Sequence, residues 1–124
     1  MTIREAIDKL DSLVINTYTQ ADKIEWLSRL ETEIKQEIID THESSKRFVF
    51  SGYDEDTSED TELIVPAPYD DVYLKWMEAQ IHYYNGENNK FNSAMMMYRA
   101  ALDAFASYYH RYHMPLKRGN RFIF

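Results

Sequence analysis

LIVPAPYDDVYLKWMEAQIHYYNGENNKFNSAMMMYRAALDAFASYYHRYHMP, residues 63–115, decides the fold. Its second half carries Phe91, Met95, Tyr98, Leu102, Phe105, Tyr109 and Tyr112, spaced alternately by 4 and 3 residues. That spacing predicts one long helix with an apolar seam sustained over three heptads. Pro115 stops it, and the Asn85–Gly86 pair marks a turn before it. Upstream, Tyr73, Met77, Ile81 and Tyr84 run down one face of a shorter helix, with Trp76 alongside and Asp70 or Asp71 as its cap. Pro66 and Pro68 disfavour helix and predict an extended connector. No residue of the seam is of a catalytic type, so the helix is built to pack.

Working outward toward the N-terminus, Thr2 and Glu5 form a capping box ahead of the stripe Ile3, Ile7, Leu10 and Val14. Residues 16–19 break the pattern, and Thr19 with Asp22 opens a second helix ending near Asp40–His42. Ile24, Leu27, Leu30, Ile34 and Ile38 make its buried face. Glu25, Arg29, Glu31, Glu33, Lys35 and Glu37 fall mostly on its solvated side. Lys46–Phe50 and Leu63–Val65 have the composition of two strands, which predicts a small β-hairpin over 46–65. The predicted architecture is mainly α: a bundle of about four helices in residues 1–116, a β-hairpin insertion, and a C-terminal arm over 117–124.

The composition narrows the function. With 124 residues, 44% hydrophobic and 28% charged, the chain is one domain with a modest core. It has no cysteine, which excludes disulfides, thiolate catalysis and Cys-ligated metals. The net charge of -7 argues against general nucleic-acid binding. No apolar run is long enough to span a membrane, so the expected location is the cytoplasm. Ten tyrosines in a 15% aromatic chain suit half-buried positions and interfaces.

Charge is unevenly spread. Asp54, Glu55, Asp56, Glu59, Asp60 and Glu62 crowd a segment without a single base, and no acid follows Asp103. Asp54, Asp56, Ser58 and Asp60 alternate as in a calcium loop, but Glu59 stands where glycine belongs and Val65 where the bidentate Glu belongs. A solvated, mobile charge run is the expectation, with a weak surface cation site as the alternative. His110 and His113 lie one turn apart, but no nearby acid or Cys completes a zinc site, and both suit a helix C-terminus. There is no phosphate-cradling glycine loop, nucleophile elbow or HExxH motif. No cofactor, metal or enzymatic activity is expected. The arm, with Lys117, Arg118, Arg121, Phe122, Ile123 and Phe124, combines cations with an apolar plug.

The string from Phe50 to Pro115, together with EWLSRLETEIKQEIIDTHE in the first half, resembles a family of small tailed-phage and prophage proteins. These are similar to head–tail connector, or adaptor, proteins encoded near the portal and major capsid genes. Leu63–Tyr69 running into Asp70–Asp71, then Tyr83–Glu87, then Met114–Pro115 carry the likeness, which covers nearly the whole chain. The resemblance implies a helical adaptor that forms a homo-oligomeric ring on the portal protein, extends the DNA channel and meets a downstream neck protein. It implies a place in the virion neck, reached from the host cytoplasm. Arg118, Arg121, Phe122, Ile123 and Phe124 are then the expected partner contacts. The acidic loop lines the channel or faces outward for recognition. Two other readings remain open: another minor neck or tail-completion protein, and a regulatory module that binds cations through the acidic loop.

Overall fold

The computed structural model describes residues 1–41 and 50–112. Within them are four helices: α1 (Ile3–Leu13), α2 (Gln20–Glu37), α3 (Asp71–Asn85) and α4 (Asn88–Tyr112). A 3-10 turn at Ile39–Thr41 follows α2. Both predicted capping boxes form: Thr2 Oγ1 accepts the Glu5 N–H at 3.1 Å and Thr19 Oγ1 accepts the Asp22 N–H at 3.1 Å. Each satisfies an amide that a helix start leaves without an intrahelical partner. At the start of α3, Asp70 is the N-cap by position but makes no side-chain capping bond.

Successive helices run antiparallel. Lys23 at the start of α2 reaches Asp11 at the end of α1, at 2.7 Å. Tyr18 before α2 donates to Asn85 at the end of α3, at 2.6 Å. Down the α3–α4 pair, ring contacts zip Tyr83 to Phe91, Trp76 to Tyr98, and Tyr69 to Phe105 and Tyr108. Ile3, Ile7 and Leu10 of α1, Ile24, Leu27, Leu30 and Ile34 of α2, and Val72, Met77 and Ile81 of α3 are all buried in one cluster. Each such side chain contributes about 1.5–3 kcal/mol by leaving water.

The α4 seam is only partly covered. Of the seam, Tyr98 and Phe105 are buried, whereas Tyr112 is exposed. Length explains this. At 25 residues α4 outruns the 15-residue α3 it packs on, roughly 37 Å against 22 Å at 1.5 Å per residue.

The predicted β-hairpin is absent among the described residues; its first strand, Lys46–Phe50, lies outside them except for Phe50. The second half pairs elsewhere. Thr2 and Glu62 form an isolated antiparallel bridge; the Ile3 N–H donates to Thr61 O at 3.0 Å and the Leu63 N–H to Met1 O at 2.9 Å. The next two amides go to side chains: Ile64 N–H to Glu31 Oε2 at 2.8 Å and Val65 N–H to the Tyr73 hydroxyl at 2.7 Å. Once those donors are satisfied, no ladder remains for a strand to build. The proline connector also differs from the extended form expected. The Tyr69 N–H closes a turn onto Pro66 O at 2.9 Å, and the Ala67–Pro68 peptide is cis.

Candidate functional site

Two surfaces stand out. The first is a groove of about 850 Å³ walled by the end of α1, α3, and the N-terminal half of α4. It forms because α1 ends at Leu13 while α3 runs on to Asn85, leaving the upper part of α3 open on that side. Leu13, Ile15 and Met97 line it and are 67%, 97% and 54% exposed. Covering these three would remove a large apolar surface from water, about 1.5–3 kcal/mol each. Lys75, Glu78, His82, Glu87 and Lys90 give it a mixed charged lining.

The polar end of the groove is rigidly built. Gly86, at φ 76°, turns the chain from α3 to α4. The Glu87 N–H then donates to His82 O at 2.9 Å, and the Glu87 carboxylate lies 2.9 Å from His82 Nδ1. That contact first, then Asn85 and Lys90, hold the Glu87 carboxyl down at about 2. Glu78 lies 3.7 Å from His82 Nε2, so both ring nitrogens face carboxylates.

The second surface is the acidic loop. It is tied down, contrary to the mobile charge run expected from sequence. Arg4 pairs with Glu59 at 3.1 Å and Asp60 at 3.3 Å, and its N–H donates to Glu59 O at 2.9 Å. Gln20 also donates to the Glu59 carboxylate. Asp54 Oδ1 accepts the Asp56 N–H at 2.9 Å, so it closes a local turn. Asp54, Glu55, Asp56 and Glu62 remain exposed. No group of three His, Asp or Glu side chains converges as a metal site among the described residues.

Beneath the loop lies a residue that sequence reading put on the wrong side. Glu31 is fully buried, not solvated. Its carboxylate accepts from Tyr73 at 2.6 Å, Tyr53 at 2.9 Å and the Ile64 N–H at 2.8 Å. Burial raises its carboxyl above the ordinary range, and the three donors pull it back only in part. Burial and the adjacent carboxylate also push both tyrosine hydroxyls up. Glu31 therefore holds both ends of the loop against α2. A signal existed: Glu31 lies four residues after Leu27 and three before Ile34, on the edge of the buried stripe.

Of the predicted partner contacts, Arg118, Arg121, Phe122, Ile123 and Phe124 lie outside the described residues, as does His113. The structure thus brings together the acidic loop and the N-terminus of α1, and separately exposes the groove, which sequence reading missed. The groove could not be read from periodicity, because its walls come from three helices. No protein-family model, curated protein or solved structure matches the chain.

Proposed function

We propose that this chain is a structural assembly protein, a head–tail connector that oligomerises on the portal of a tailed phage or prophage. The class rests on the resemblance carried by Leu63–Asp71, Tyr83–Glu87 and Met114–Pro115. The single observation that supports it physically is the groove, where Leu13, Ile15 and Met97 are exposed among the described residues. Leu13, Ile15 and Met97 together line one groove as exposed apolar surface, of the kind that a subunit contact covers. In this reading the groove faces the next copy in the ring. The segment with Arg118, Arg121, Phe122, Ile123 and Phe124 faces the portal, where cations and an apolar plug together offset the ordering entropy of docking.

The test is co-sedimentation of the purified protein with the portal ring encoded in the same gene cluster. Binding at about one copy per portal subunit supports the reading; no binding at low or high salt refutes the portal assignment. Deleting Lys117–Phe124 should leave the helical signal intact and weaken portal binding. Ile15→Asp, at a site with almost no contacts to lose, should block self-association while leaving the fold unchanged.

A further inference from the structure

Asn85–Gly86, at the end of α3, is the one Asn–Gly step in the chain. A peptide rearranges most readily at such a step, because glycine has no Cβ to shield its own nitrogen. In that reaction the Gly86 nitrogen attacks Cγ of Asn85. The N–Cγ bond forms, the Cγ–Nδ2 bond breaks, and Nδ2 leaves as ammonia with the proton given up by the Gly86 nitrogen. Water then opens the five-membered succinimide at either carbonyl, giving aspartate or isoaspartate. The balance needs only water.

The structure exposes this step and restrains it at the same time. Asn85 and Gly86 are both exposed, and a Cβ at Gly86 would meet nothing within 4 Å, so water reaches the turn. Yet each reacting group is held. The Gly86 N–H donates to Tyr83 O at 3.1 Å, closing the end of α3. Asn85 Oδ1 accepts from the Tyr18 hydroxyl at 2.6 Å, and Asn85 Nδ2 donates to Glu87 Oε1 at 3.3 Å. Asn85 is also the last helical residue of α3, and a helical ψ turns the Gly86 nitrogen out of the plane in which the ring closes. Attack therefore requires the helix end to fray and the side chain to leave Tyr18, which is local opening rather than global unfolding.

We propose that Asn85 is a site of spontaneous covalent modification, converted to aspartate or isoaspartate at a rate set by opening of the α3–α4 turn. Either product changes that turn. A carboxylate replaces an amide at the C-terminus of α3, where the helix dipole disfavours negative charge, and stands beside the Glu87 carboxylate. Isoaspartate further routes the main chain through Cβ, adding one carbon between α3 and α4. Asn85 lines the groove, so the conversion alters its polar end.

The test is to age the full-length protein in warm neutral buffer and read its tryptic peptide 76–90 by mass spectrometry, with fragmentation to separate Asn85 from Asn88 and Asn89. The expected result is exchange of NH2 for OH at Asn85 ahead of every other asparagine, with aspartate and isoaspartate both formed. The same chain unfolded in guanidinium chloride should convert about tenfold faster or more, because its turn is always open. Tyr18→Phe keeps the ring and removes only the hydroxyl that holds Oδ1, so it should speed conversion in the folded protein by about two- to tenfold. Conversion that is equally fast folded and unfolded, that Tyr18→Phe leaves unchanged, that yields no isoaspartate, or that falls first on another asparagine overturns the proposal.

Discussion

Replacing Tyr73 by Phe isolates the polar clasp that holds the loop to the bundle. Tyr73 is fully buried, so the ring keeps its packing in the variant. Two hydrogen bonds are lost. The hydroxyl donates to Glu31 Oε1 at 2.6 Å and accepts from the Val65 N–H at 2.7 Å. A bond to an ionised carboxylate is worth about 1.5–3 kcal/mol, and a buried amide left without an acceptor costs about 1–3 kcal/mol. Because the two losses overlap, the expected destabilisation is about 3–4 kcal/mol, a fall in Tm of about 10–15 °C for a domain of this size. Tyr98→Phe is the matched control. Its hydroxyl is also buried but, among the described residues, makes no well-formed hydrogen bond and has only the partly buried Glu33 carboxylate beside it, so its removal should cost less than about 1 kcal/mol. Urea unfolding followed by far-UV circular dichroism measures both, with a constant m-value confirming that stability alone has changed. In a Glu31→Gln background the cost of Tyr73→Phe should shrink by about 1–2 kcal/mol, because the two side chains share one network. Equal effects of Tyr73→Phe and Tyr98→Phe would refute the reasoning.

The remaining predictions concern pH, the turn and the surface. Burial keeps a proton on Glu31 in the folded state at pH values where the unfolded chain, near 4.5, has already released it. The folded state then binds more protons, so this group's contribution to stability declines as pH rises from about 4.5 through its raised value; Glu31→Gln should lack that decline in a pH series of urea midpoints. Glu87 titrates in the opposite sense: held at about 2, it favours the fold above its ordinary range, and that preference fades as the solution is acidified toward 2, a trend Glu87→Gln should not show. Gly86→Ala should cost about 1 kcal/mol in thermal unfolding, since φ 76° is strained for alanine although its Cβ would meet nothing within 4 Å. Arg4→Gln should cost less than about 1 kcal/mol, and the difference should vanish in high salt, because its pairs with Glu59 and Asp60 are solvent-exposed.

What the chain alone determined is its helical register. The capping boxes at Thr2 and Thr19, the Gly86 turn and the 4–3 spacing from Phe91 to Tyr112 are local, because each depends on residues within a turn or two of one another. Four helices and their order follow from them. The tertiary structure decided everything that depends on a distant partner. Whether Glu31 is solvated or buried hangs on Tyr53, Ile64 and Tyr73, which are 22 to 42 residues away in sequence. Whether Leu63–Val65 becomes a strand hangs on where its amide donors find acceptors. That turned out to be Met1, Glu31 and Tyr73. The acidic loop is paired with Arg4, 56 residues before Asp60 in sequence. The groove exists only where helices of unequal length meet. Periodicity reports which face of one helix is apolar; it carries no information about how far a neighbouring helix extends to cover it.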